Sequence, residues 1–362
     1  MLQFTLIINK FERRTCTFRK DVRHFMKNFI LISFIFLSDT LYGQNVRPDV
    51  YGFRHLQTIY KGDTVDILIK SKKGEEEKPK PLFLFCQGSL PSPLIIKYDQ
   101  NGKQGIYPVF VFNTDSLSEY YHLAIIGKPY VPLIADEKSL GPNFAYIDGT
   151  GKFPKKYTQR NLPDYYVKRD IEVIKFLQKQ TWISKNKLIV AGHSEGSTIA
   201  AKLAFECKKV THLIYSGGNP LGRIMSIIGQ NRQRETDTDS TRFGEQQFAM
   251  WKNVIADPTN MDDSFGDPNK ANYVFSIPPV IKYLEQLKIP VLISYGTKDW
   301  TAPYNDYLRV EMMRQHKNNF TFKAYVGTEH NFFPVKTNGE TNYDIFNWDK
   351  VGDDWRSWLM KQ

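Results

Sequence analysis

Cysteine is scarce in this chain, with three residues among 362, at positions 16, 86 and 207. So few thiols exclude a disulfide-stapled scaffold; Cys86 and Cys207 could still form a single bridge, although two buried thiols are the commoner state in a core of this kind. There is no paired Cys-x-x-Cys and no His-Glu-x-x-His, and Gly149-Thr-Gly-Lys152 lacks the spacing of a phosphate-binding loop. No metal, nucleotide or other cofactor is therefore expected. A membrane-spanning run is missing as well. The apolar stretch Phe29–Leu37 has nine residues, which as a helix covers about 14 Å of a hydrocarbon core roughly 30 Å thick. It is too short for a stable anchor, and no cysteine follows it for lipid attachment. Preceded by Met26-Lys-Asn and followed by Leu41-Tyr-Gly43-Gln, it has the layout of a signal peptide over about 26–43. The expected organisation is a leader over 1–44 with its natural start at Met26, a product that is secreted or periplasmic, and one domain over 45–362. The chain carries 49 Lys and Arg against 38 Asp and Glu; without the leader 42 and 35 remain, a net +7. These lysines are scattered rather than striped, which reads as a solvated surface and not as a nucleic-acid face.

Against these absences stands one dense motif. Leu188-Ile-Val-Ala-Gly192-His193-Ser194-Glu195-Gly196-Ser-Thr-Ile-Ala-Ala runs from an apolar strand through Gly-x-Ser-x-Gly into an alanine-rich helix. This is the pattern of a nucleophile elbow, in which a sharp turn exposes a serine above a sheet and two glycines let strand and helix approach. A serine hydroxyl becomes a competent nucleophile only with a base to take its proton and dipoles to hold the oxyanion. Both requirements can be traced downstream and upstream. Ile289–Tyr295 is a strand-length apolar run ending in Gly296-Thr-Lys-Asp299-Trp-Thr-Ala-Pro303, and Phe320–Val326 alternates like a strand before Gly327-Thr-Glu-His330-Asn-Phe-Phe. His330 is the expected general base, with Asp299 fixing its tautomer. Asp306 and Glu329 are the rival acids: Asp306 lies beyond the loop, and Glu329 adjoins the base too closely to support it.

With these three loops in the order serine, acid, histidine, the chain resembles the α/β-hydrolase superfamily over about residues 80–360, and within it bacterial esterases and the catalytic domains of prolyl-oligopeptidase-type peptidases. The resemblance implies an α/β fold: a mostly parallel central sheet with helices on both faces and a cap insertion. It also implies an oxyanion hole made by the N–H of Glu195 and one from the loop after the third strand. Pro81–Cys86 is that strand, so the second donor is Ser89 or Gly88; here Gln87-Gly88-Ser89 departs from the family's commoner His-Gly. The Glu195 carboxylate is expected to cap the helix start, and His193 to pack beside the nucleophile.

Around the motif, Tyr51–Lys73 reads as two strands with a hairpin turn at Lys61-Gly-Asp63, Leu123–Gly127 as a buried strand, Asp164–Thr181 as a helix, and His212–Gly218 as the strand after the elbow helix. The Pro-, Gly- and Tyr-rich segment Lys128–Leu162 is expected to lie over the site. About seventy residues, near 219–288, then precede the Asp299 strand, far more than a crossover needs; they are expected to form the cap, with a helix at 243–255 and with Met250 and Trp251 lining a substrate pocket. A closing helix is expected at 353–360. These observations lead to a serine hydrolase that forms an acyl-enzyme on Ser194 and acts on a small ester. A peptidase is the alternative, for which Glu119 and Arg223 are loose candidates to hold a peptide terminus. A binding protein on the same fold, without activity, is the rival from another class.

Overall fold

The computed structural model describes residues 47–263 and 266–362; the expected signal peptide lies outside these. The described residues begin with a short 3-10 turn, Pro48–Tyr51, followed by a hairpin of β1 (Arg54–Tyr60) and β2 (Asp63–Lys70). Its two-residue turn, Lys61-Gly62, has φ of 50° and 82°, the left-handed pair that matches the twist of a tight hairpin and that glycine adopts freely. The remaining strands are β3 (Lys80–Cys86), β4 (Ile95–Gln100), β5 (Lys103–Ile106), β6 (His122–Ile126), β7 (Ile134–Asp136), β8 (Ile183–His193), β9 (His212–Ser216), β10 (Val291–Gly296) and β11 (Phe320–Tyr325).

Eight of them form one sheet in the order β1-β2-β6-β3-β8-β9-β10-β11. From β6 to β11 every neighbouring pair is parallel, while β2 runs antiparallel to both β1 and β6. All six parallel strands therefore end at the same edge. A sheet buried on both faces needs apolar residues at consecutive positions, and the strands supply them. In β3, Leu82, Leu84 and Cys86 face one core and Phe83 and Phe85 the other; in β8, Leu188 and Val190 oppose Ile189 and Ala191 in the same way.

Helix α1 (Pro163–Leu177) buries Tyr166, Val167, Val173, Ile174 and Leu177 on the first face. Helix α2 (Glu195–Glu206) packs there through small residues, Ala200, Ala201 and Ala204. Between β9 and β10 lie α3 (Arg223–Arg232), α4 (Phe243–Ala256) and α5 (Asn269–Val274); α6 (Ala302–Arg314) follows β10. The closing helix α7 (Trp348–Leu359) begins five residues before its expected start and covers the second face with Trp348, Val351, Trp355, Trp358 and Leu359. Their spacing of three and four residues makes one helical stripe. Cys86 and Cys207 are buried free thiols.

One part of the architecture was not expected. β4, β5 and β7 form a separate sheet in the order β5-β4-β7, inserted around β6 in the chain. Only Ile95 and Ile96 of β4 are buried, so no apolar run announces it. The legible signal was the dipeptide Asn101-Gly102, whose φ values of 52° and 76° make the β4–β5 turn.

Candidate active site

The elbow is built by strain and by the absence of side chains. Ser194 has φ 58° and ψ −129°, a region L-residues avoid and retain only where the surroundings over-determine it. Its N–H donates to the Ser216 carbonyl of β9 at 2.9 Å, which secures the turn to the neighbouring strand. A β-carbon on Gly192 would stand 2.1 Å from the Gly196 carbonyl oxygen, and one on Gly196 would stand 2.1 Å from that of Cys86. Both positions therefore require glycine. Beneath the turn, His193 is buried with its ring 4.7 Å from Trp348 and 4.9 Å from His330, and its Nδ1 lies 3.0 Å from Ser216 Oγ. Burial, and secondly the neighbouring His330, pull its pKa well down, so it remains a neutral support.

The loops after β10 and β11 meet behind the elbow. A β-carbon on Gly296 would fall 2.3 Å and 2.5 Å from the Thr328 and Glu329 carbonyl oxygens; without one, the two loops pack back to back. His330 Nδ1 donates to Asp299 Oδ2 at 2.9 Å, and the other Asp299 oxygen accepts the Thr301 N–H at 2.9 Å. Asp299 is 2% exposed and His330 7%. Burial disfavours the imidazolium, but the adjacent Asp299 charge and its hydrogen bond outweigh burial and raise the His330 pKa above its ordinary value. With Nδ1 engaged, Nε2 is the nitrogen free to exchange protons. The indole of Trp300 stacks over the His330 ring at 4.2 Å and 25°. Glu329, the nearer rival acid, instead accepts the N–H groups of Asn331 and Phe333 at 2.8 Å and 3.0 Å and so shapes the histidine loop. Asp306 sits on α6, where it accepts the Tyr295 hydroxyl.

On the other side of Ser194 stands the β3 loop. A β-carbon on Gly88 would come 3.9 Å from that of Ser194, which places the Gly88-Ser89 backbone beside the elbow. Gln87 Nε2 donates to the Ile126 carbonyl at 2.5 Å, and the buried Tyr157 hydroxyl donates to the Ser89 carbonyl at 2.9 Å. Tyr157 comes from the segment between β6 and α1, so that segment does reach the site.

No family model and no curated protein matches the chain. Among solved structures, it is similar to Est1E from Butyrivibrio proteoclasticus with ferulic acid bound, at 17% identity and TM-score 0.50, over 85% of this chain and 98% of that one. It is similar also to a protein described as dipeptidyl aminopeptidase IV from Bacteroides ovatus, at 13% identity and TM-score 0.50, over 84% of this chain but 36% of that one. The acylaminoacyl peptidase of Pyrococcus horikoshii is matched at 12% identity and TM-score 0.48, over 77% of this chain and 37% of that one. The chain thus spans about a third of the Bacteroides and Pyrococcus proteins and nearly all of Est1E. Its mainly parallel eight-stranded sheet, packed on both faces, is consistent with this likeness. The chain has the α/β-hydrolase fold.

On this fold the helices between β9 and β10 approach the site through α3. Arg223, its first residue, pairs with Glu195. Farther along, a β-carbon on Gly229 would lie 3.2 Å from the Trp300 carbonyl oxygen, and Gln233 Nε2 reaches the Lys298 carbonyl at 3.5 Å. α3 therefore bridges the elbow and the acid loop. Met250 and Trp251 are half-buried on α4; the Trp251 ring stacks over Tyr273 of α5, 6.4 Å between centroids. Glu195 occupies the first turn of α2, at the positive end of the helix as expected, and its carboxylate also pairs with Arg223. Of the loose candidates for a peptide anchor, Arg223 is thereby occupied, and Glu119 pairs with Lys72 at 2.7 Å just before β6, at the sheet edge opposite the elbow. Two contributors were missed at the sequence level. Trp300 adjoins Asp299 and was legible as a loop neighbour; Tyr157 lies 37 residues before Ser194 and carries no local signal.

Proposed function

We propose that this chain is a serine hydrolase acting on small carboxylic esters through an acyl-enzyme on Ser194. The observation that carries the reading is the buried His330–Asp299 hydrogen bond, assembled on the loops after β10 and β11 at the same sheet edge as the strained Ser194. In the first half-reaction Ser194 Oγ attacks the acyl carbon while His330 Nε2 takes its proton. The tetrahedral oxyanion is held by the N–H of Glu195 and by that of Gly88 or Ser89. His330 then protonates the leaving alkoxide, and the alcohol departs. Water enters, loses a proton to His330 and attacks the acyl-enzyme; return of the proton to Ser194 releases the acid.

An ester is favoured over a peptide because the charged side chains that could hold a peptide terminus are committed elsewhere, Arg223 to Glu195 and Asp267, and Glu119 to Lys72. Met250 and Trp251 belong to this reading as pocket residues for the acyl group, through α4 lying against α3. Secretion or periplasmic export belongs to it as well, supported by the Met26–Gly43 segment; the N-terminus of the mature protein from expressing cells is its test. For the chemistry, Ser194→Ala is expected to abolish fluorophosphonate labelling and to lower kcat on short acyl esters by on the order of a million-fold, with unchanged melting temperature. Wild-type labelling rates in Ser194→Ala, or hydrolysis of aminoacyl amides but not of esters by the native protein, would overturn the nucleophile or the substrate class respectively.

A further inference from the structure

The residue that follows the nucleophile carries a buried negative charge. Glu195 supplies an oxyanion-hole N–H under the reading above, and its side chain is 10% exposed. One carboxylate oxygen is bonded to Arg223 Nη2; the other, Oε1, is buried without a hydrogen-bond partner. A carboxylate on the residue whose N–H would hold the forming oxyanion opposes catalysis unless it is neutralised, because like charges repel most strongly where water is excluded.

Two cations face it. Lys128 is 8% exposed, and burial, partly offset by Glu195, brings its pKa down to about 8. It is a countercharge that alkaline pH removes. Arg223 is different: burial opposes its charge, but Glu195 and Asp267 more than compensate and raise its pKa. Its guanidinium forks, Nη2 to Glu195 and Nη1 to Asp267 at 3.0 Å, and its plane rests 3.9 Å over the Phe275 ring. Asp267 and Phe275 belong to the same insertion as Arg223. The fork thus joins the elbow to the cap through one permanently charged side chain, with the rigid planar geometry that a lysine lacks.

We propose that Arg223 is a positioning residue for the oxyanion hole: it neutralises Glu195 and fixes the first turn of α2 against the cap. The inference rests on the serine-hydrolase reading. Its test compares Arg223→Gln, Arg223→Lys, Glu195→Gln and the double variant Glu195→Gln/Arg223→Gln, each in the whole chain, by steady-state hydrolysis of a short acyl ester, fluorophosphonate labelling rate and thermal unfolding. Arg223→Gln is expected to lower kcat about a hundredfold with KM within threefold of wild type, because the charge it exposes meets only the transition state. Glu195→Gln is expected to lose about fivefold. The double variant should regain at least tenfold over Arg223→Gln, and Arg223→Lys should lie between Arg223→Gln and wild type. If Arg223→Gln does not fold, the double variant and Glu195→Gln carry the comparison: the kcat of the double variant must then lie within threefold of that of Glu195→Gln. A kcat for folded Arg223→Gln within threefold of wild type, or a folded double variant no better than the single, overturns the inference alone. Wild-type protein that neither labels nor turns over overturns the serine-hydrolase reading with it.

Discussion

Gly196→Ala adds one methyl group and no chemistry, so its effect isolates the geometry of the elbow. The new β-carbon would stand 2.1 Å from the Cys86 carbonyl oxygen and 2.6 Å from that of Gln87. Real β-carbons essentially never come within 3.0 Å of another heavy atom, so α2 and the end of β3 must part by at least the 0.9 Å between 3.0 and 2.1 Å. Both obstructing atoms are backbone, and no rotamer change relieves them. α2 begins at Ser194 and Glu195, while the displaced end of β3 leads directly into Gly88 and Ser89. The movement therefore opens the proposed oxyanion hole itself. A misplacement of about 1 Å typically costs on the order of 100-fold, and loss of one oxyanion donor about 2.7–4 kcal/mol. Overpacking of this kind costs about 1–3 kcal/mol of stability, equivalent to a few degrees of melting temperature. Gly196→Ala is accordingly expected to lower kcat by about 100- to 1,000-fold on a short acyl ester with little change in KM. The control is Gly149→Ala, at an exposed position where a β-carbon meets nothing within 4 Å, and it should behave as wild type in both assays. Wild-type kcat/KM together with wild-type melting temperature in Gly196→Ala would refute the argument.

Asp299→Asn is expected to cost about 10⁴ in kcat by disturbing the His330 tautomer, and Asp306→Asn less than tenfold; the reverse order, measured on one ester, would show that the acid is misassigned. Because the proposed mechanism has neutral His330 accept the Ser194 proton, and its pKa is raised by Asp299 against the opposing effect of burial, kcat/KM should rise with pH through a midpoint above the ordinary histidine value of about 6.5. Asp299→Asn should move that midpoint to lower pH, and a midpoint unaffected by the substitution would separate the limb from His330. Replacing Met250 and Trp251 by alanine should shift relative kcat/KM between long-chain and acetyl esters by about tenfold or more; a uniform loss with a lower melting temperature would make them packing residues of the α4–α5 contact.

What was legible in the sequence alone was everything governed by local steric and periodic rules. The Gly192–Gly196 elbow could be read because strand, turn and helix each leave a signature within about a dozen residues, and because the order of the Asp299 and His330 loops follows from chain connectivity. The β1–β2 hairpin, α1, α4 and the strands of the main sheet were readable for the same reason: apolar runs and turn residues report the elements they build. α7 was placed, but its start was not, since Trp348 and Val351 join the helical stripe only when the second face of the sheet is there to receive them. The small sheet β5-β4-β7 was missed because its strands bury few side chains and owe their pairing to neighbours, with Asn101-Gly102 the single local sign. Tertiary structure alone decided which charges meet. Glu195 faces the positive end of its own helix in either account, yet its partner is Arg223, 28 residues along the chain, and Tyr157 reaches Ser89 across 68. Such contacts leave no periodicity in the sequence, because a hydrogen bond or ion pair depends on where two distant backbones are brought, and that placement is set by the packing of the whole sheet and its cap.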